Sequence, residues 1–145
     1  MADRELVAER PFSADDTVPT PWAEARGRLE EAGTHWLATA RPDGRPHVMP
    51  VLGVWVDGAL SFSAGEASRK GKNLARDPRC VATVGSAALD LVVEGEAAKV
   101  SDSARIHLVA DAVASKYGWR ETVRDGAFYA DVRRPRVRPR TRSTK

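Results

Sequence analysis

The residues best equipped for chemistry lie in one short run, Ser68-Arg69-Lys70-Gly71-Lys72-Asn73-Leu74, which follows Gly65 at the predicted start of a helix. A helix N-terminus presents unpaired N–H groups and a partial positive charge. Ser68 adds a hydroxyl, Arg69 a planar fork of donors, Lys70 and Lys72 point charges, and Asn73 an amide. Together these suit a phosphate monoester. The same spacing also fits a solvated basic helix face. It is no P-loop, because GxxxxGK[ST] is absent and the glycines form no GxGxxG.

The other reactive side chains are scattered. His35, His47 and His107 stand apart from one another and from Cys80, with no metal-ligand spacing, and are expected to be structural. His47 is the exception worth following, because it opens a strand that runs into Pro50, and it is a candidate ligand contact. Asp90, Glu94 and Glu96 share one strand face at even spacing, which suits either acid–base work or, preferably, a solvated outer face. There is no GxSxG, and no Ser or Cys that the sequence sets beside a His and a carboxylate. Cys80 falls in mid-strand and reads as a small buried hydrophobe. With no strong acid, base or nucleophile of its own, an enzyme of this sequence relies on a bound, phosphate-bearing cofactor for reactivity.

The elements that must position these groups are short. Trp22–Ala32 is predicted as a helix, with Trp22, Ala25, Leu29 and Ala32 on one face and Gly33 as its stop. Strands are predicted over Thr34–Arg41, Pro46–Val56, Ala59–Ala64, Cys80–Val84 (from Arg79) and Leu89–Val100, with a stub at Ala127–Val132. The turns are Pro42-Asp43-Gly44 and Asp57-Gly58, the latter a type I′ hairpin signal. Pro50 demands a free edge or a bulge, and Gly95 marks a bulge. A short helix over Ser68–Arg76 ends at Asp77-Pro78, and a longer one over Asp102–Lys116 carries an apolar stripe of Ile106, Val109, Ala110, Val113 and Tyr117. Five or six strands with tight turns and few helices favour a mainly β fold, a small antiparallel barrel.

Composition bounds the partners. The 145 residues are 42% hydrophobic, enough for one domain with a real core. No apolar run reaches membrane-span length, the charged N-terminus leads into no signal-peptide core, and a single cysteine excludes an internal disulfide. A reducing cytoplasm is the expected location. The net charge of +3 is a property of one end: residues 133–145 hold seven positive charges and no negative ones, so +3 less +7 leaves −4 for the rest. The body is therefore not nucleic-acid-like, although the Arg/Pro run can bind phosphate backbones non-specifically. The expected organisation is a flexible arm over 1–21, one domain over 22–132 and a basic tail over 133–145.

Residues 34–84 resemble the pyridoxamine 5′-phosphate oxidase-like family of flavin-binding split β-barrels. The resemblance rests on His35–Val51 with its Asp43-Gly44-Arg45-Pro46, on Trp55–Ser63 around Asp57-Gly58, and on Arg69–Val81 with Lys70-x-x-Asn73-Leu74 and Asp77-Pro78. Weaker similarity extends through Val92–Ala97 and Lys116–Trp119. It implies a split-barrel homodimer with cofactor sites at the subunit interface, binding FMN or the deazaflavin F420. It further implies hydride transfer to a small organic substrate, or, alternatively, a non-catalytic carrier of a flavin or haem-type ligand. By family analogy His47, Val48, Met49, Pro50 and Val51 run along the ring system with Phe62 and Ser63 nearby. Lys70 and Asn73 match the phosphate positions, supported by Ser68, Arg69 and Lys72. The family's usual strands beyond Phe128-Tyr129 are replaced here by the Arg/Pro run, and the segment 86–90 looks short.

Overall fold

The computed structural model describes residues 21–85, 89–118 and 127–141. In chain order these form α1 (Trp22–Glu31), β1 (Thr34–Ala40), β2 (Pro46–Leu52), β3 (Val54–Val56), β4 (Ala59–Gly65), α2 (Arg69–Arg76), β5 (Arg79–Gly85), β6 (Leu89–Lys99), α3 (Ser103–Tyr117) and β7 (Ala127–Thr141). The seven strands make one antiparallel sheet in the order β2-β1-β5-β6-β7-β4-β3. β2 and β3 lie at opposite edges of that sheet, yet only Gly53 separates them in sequence. The sheet therefore curls until its edges approach, which makes the expected split barrel. The strand predicted as Pro46–Val56 is two strands for this reason.

Local sequence accounts for the joints. Asp57 and Gly58 both have positive φ (48° and 75°), as a type I′ turn requires. Pro50 lies in an edge strand, where a missing N–H is tolerated. Ser68 caps α2, Asp102 caps α3, and Gly118 closes α3 in the left-handed region at φ 77°.

Two apolar clusters flank the sheet. Leu37, Val51, Leu60, Phe62, Leu91, Val93 and Val132 form the larger, joined by Ala25 and Leu29 of α1 and Leu74 of α2. Val109, Ala110 and Val113 of α3 form the smaller with Val54, Val100 and Tyr129. Alternation along β7 divides Phe128, Ala130 and Val132 from Tyr129 in this way. Arg105 ties α3 to the sheet: its Nε lies 3.0 Å from Asp131 Oδ2, and Nη2 donates to Ser61 Oγ and the Val56 carbonyl at 3.1 Å each. Asp131 also accepts from the Ser61 hydroxyl.

The C-terminal half departs from expectation. The basic tail predicted from residue 133 is, as far as Thr141, the second half of β7 and pairs along β6. That half meets β6 alone, and a strand with one open side tolerates prolines. Val137 is buried in the main core, and Arg138 lies 3.6 Å from Glu94. The register sets Arg136 against Glu94, so the outer acidic face predicted for β6 is partly exposed, with Glu96 open to water and Glu94 shared with arginines of β7. The irregularity predicted at Gly95 falls at that level of the ladder, but the extra residue is on β7: pairing steps from Glu94↔Arg136 to Glu96↔Arg133, two residues along β6 against three along β7, and Arg134 takes φ 53°. A Cβ on Gly95 would lie 2.6 Å from the Arg133 carbonyl oxygen, so only glycine fits.

The predicted arm over 1–20, the segment 86–88 and residues 142–145 lie outside the described residues. Among the described residues no helix is long and apolar enough to cross a membrane.

Candidate functional site

The start of α2 is bolted to the end of β4. The Ser68 hydroxyl donates to the Gly65 carbonyl at 2.6 Å and accepts from the Gly71 N–H at 3.1 Å. A Cβ on Gly71 would lie 2.0 Å from the Gly65 oxygen, so the helix can approach only as glycine. Ser68 is thus spent on the cap. Arg69 and Lys72 are exposed and Lys70 is half-buried. Among the described residues none of the three is ion-paired or hydrogen-bonded through its side chain. The first turn of α2 contains no acidic residue. Cations at the positive end of a helix dipole are locally unfavourable, and a bound anion relieves both.

His47 lies where these charges meet. Burial lowers its pKa first, and the charges of Arg41, Arg69 and Lys70 lower it further. Its Nδ1 is buried without a hydrogen-bond partner. Arg41 is the member that sequence reasoning missed. Its signal was available in the hairpin: once Thr39 pairs with His47, a residue two further on must lie beside the opening of β2.

The remaining candidates divide by side-chain direction. Val48 (53% exposed), Met49 (42%) and Pro50 are presented to the outside along β2, which has β1 on one side and no strand on the other. Ser63 is half-buried near the end of β4. Val51 and Phe62 turn into the main core, so they back the site without a free side chain to offer it. Asn73 is only 1% exposed. Its Nδ2 donates to Thr39 Oγ1 at 3.0 Å, while Oδ1 has no partner. It joins α2 to β1 beneath the surface, because position 73 falls on the buried side of α2 with Leu74.

Thr39 thus has the His47 ring paired beside it and the Asn73 amide bonded to it. Each of those neighbours has an unsatisfied buried polar atom. A cationic helix start, an unpaired apolar strand edge and two orphaned polar atoms at one corner fit a ligand with an anionic head and a flat apolar body. Elsewhere, burial pushes the Cys80 thiol up to about 11, which leaves it inert near neutral pH. Among the described residues no three His, Cys, Asp or Glu side chains come together.

A family model described as pyridoxamine 5′-phosphate oxidase matches residues 21–142. Among solved structures, a conserved hypothetical protein from Mycobacterium tuberculosis superposes with a TM-score of 0.76 at 24% identity, over 90% of this chain and 89% of that one. A heme binding protein from Mycobacterium smegmatis gives 0.66 at 24% identity, over 88% of this chain and 60% of that one. An F420 reductase gives 0.62 at 19% identity, over 81% and 93%. Likeness at these identities is likeness of fold. No curated protein sequence matches the chain.

Proposed function

The chain belongs to the pyridoxamine 5′-phosphate oxidase family, and from that premise we propose that it is a flavin- or deazaflavin-dependent oxidoreductase. FMN is the first choice of cofactor and F420 the alternative; when bound, either supplies hydride transfer to or from a small organic substrate. The observation that carries the reading is the convergence of Arg41, Arg69 and Lys70 on His47 beside the open edge of β2.

In this reading Arg69, Lys70, Lys72 and the first N–H groups of α2 hold the phosphate. Ser68 fixes the cap, and Asn73 anchors the helix from below through Thr39. The open side of β2, from His47 to Val51, orients the ring through its backbone, with Val48, Met49 and Pro50 as apolar walls and Phe62 and Ser63 behind. The His47 ring keeps Nδ1 without a protein partner, available to the ligand. Residues 22–141 form the cofactor-binding unit.

The working form is a homodimer. Trp36 pairs with Pro50 and Ala38 with Val48, so these side chains share the outer face of the β1–β2 ladder, where Thr34 also pairs with Leu52. Trp36 is 51% exposed and Leu52 is exposed as well, a contiguous apolar surface that a second copy would cover.

Titration of purified protein with FMN and with F420, followed by fluorescence, tests this reading. Saturable binding of one cofactor that weakens in Lys70→Ala supports it. Binding of neither, by a folded protein, overturns it. A carrier is the second reading, favoured because among the described residues the side chains gathered at the site are cations, an imidazole, amide and hydroxyl groups and apolar groups, with no carboxylate or thiol. Tight cofactor binding without reduction or oxidation of any acceptor would select it.

A further inference from the structure

Gly53, the junction of β2 and β3, is gripped by the far end of α3. Its carbonyl oxygen accepts from Lys116 Nζ at 3.0 Å, and the Tyr117 hydroxyl lies 2.7 Å away. That hydroxyl is also 2.7 Å from the Gly33 carbonyl, so its one proton serves either oxygen while bridging the lead-in to β1 and the exit from β2. With Lys116 and Tyr117 both engaged, the Gly53 carbonyl uses both lone pairs. On the opposite side the junction rests on His35. A Cβ on Gly53 would lie 2.8 Å from His35 Nδ1 and 2.9 Å from Cγ, so the imidazole occupies the space a side chain would need. His35 is fully buried, and neither ring nitrogen has a partner. The ring acts there as a wedge, with at most a weak polar contact to the Gly33 backbone.

The placement matters because β2 is laddered on one side only, to β1, and ends at the one-residue junction that α3 grips. It is an edge strand whose outward side chains at 48, 49, 50 and 52 are exposed. The β1 ladder holds it from Pro46 to Leu52, and the hairpin turn fixes its start. Its C-terminal end must leave one edge of the sheet and enter the other within a single residue. We propose that Lys116, Tyr117 and His35 are positioning residues, a clamp by which α3 sets the path of β2 and hence the seat of the cofactor ring, independently of the phosphate grip on α2. The claim about the ring rests on the reading given under Proposed function; the claim about β2 does not. Lys116 faces Glu30 of α1, His35 of β1 and the Tyr117 ring, with Nζ 5.4 Å from the ring centre.

Hydrogen exchange on the ligand-free protein, wild type against Tyr117→Phe and Lys116→Met, is the first arm. The expected result is exchange over residues 46–56 accelerated by about 10-fold, with α2 and β6 unchanged. Lys116→Arg, which keeps a charged donor, should restore protection. The second arm uses FMN- or F420-loaded protein: the variants should shift the bound cofactor's absorption or polarisation while inorganic phosphate competes with unchanged affinity. Unchanged protection over 46–56, or an even rise along the whole chain, would overturn the clamp. An unperturbed cofactor spectrum alongside loosened β2 would overturn its role in seating the ring. Wild-type protein that binds neither cofactor would sink the functional reading, and the exchange arm would still decide whether α3 holds β2.

Discussion

His35 sets an acid limit on this fold. Burial, and secondarily the charge of Lys116, lower its pKa to about 4 from 6.5. Between those values the unfolded chain takes up a proton that the folded chain refuses, so stability falls as pH drops from 6.5 to 4 and this group adds no further loss below 4. The full loss is about 3 kcal/mol. Lys116, lowered to about 8 from 10.5 chiefly by burial, acts at the other end. Its proton is retained longer by the unfolded chain, so its contribution to stability rises as pH climbs from 8 to 10.5. Urea unfolding across pH 4–10 checks both slopes, and the acid slope should vanish in a folded His35→Leu variant. At the phosphate site, Lys70→Ala should weaken FMN or F420 binding by about 10- to 100-fold at unchanged melting temperature. At this scale the sequence disclosed residue types better than directions. The cations of α2 and the interest of His47 were legible in order and spacing. The inward turn of Asn73 and the core position of Phe62 were not, because both depend on which face of an element meets the sheet. Arg41 went unseen because its role arises only from the hairpin register.

Among elements, α2 and α3 each include a contact whose removal has calculable consequences. Gly71→Ala drives a methyl into the Gly65 carbonyl, a backbone atom that cannot step aside. It should cost about 2–3 kcal/mol and loosen the start of α2, read as a lower melting temperature together with lost phosphate competition. Asp131→Ala strands the mostly buried Arg105, whose side chain is 16% exposed. About 3 kcal/mol of stability should go with it, while Asp131→Asn should lose less, measured by chemical denaturation. The helices were readable from periodicity because an apolar stripe at helical spacing has few other uses. The second half of β7 was not. Its arginines and prolines carry the composition of a solvated tail, and a single buried valine, Val137, marks its inner face. What makes it a strand is the acidic face of β6, a partner some forty residues away in sequence.

For the molecule as a whole, the exposed apolar face around Trp36, Val48 and Leu52 predicts the state of assembly. Light scattering should find a dimer, and Val48→Glu, which sets a charge in the middle of that face, should yield monomers with an unchanged circular dichroism spectrum. A monomeric wild type would remove the dimer from the proposal. The fold class was legible from the series of tight turns and from the family resemblance. A bend or close approach at Gly53 is readable from a glycine inside the strand, but closure of the sheet through it is not, because a strand that serves both edges looks from its sequence like one continuous strand.

The place of β7 has a consequence for synthesis. Among the described strands, residues 127–141 are made after the other six, yet they lie between β6 and β4. Until they emerge, β3 and β4 form a hairpin with no ladder to the β2-β1-β5-β6 half. The nascent chain therefore holds two unjoined sheet fragments, each with a bare edge available to other chains. β7 is a keystone, and the interval before it is set is when those bare edges are most open to pairing with other chains.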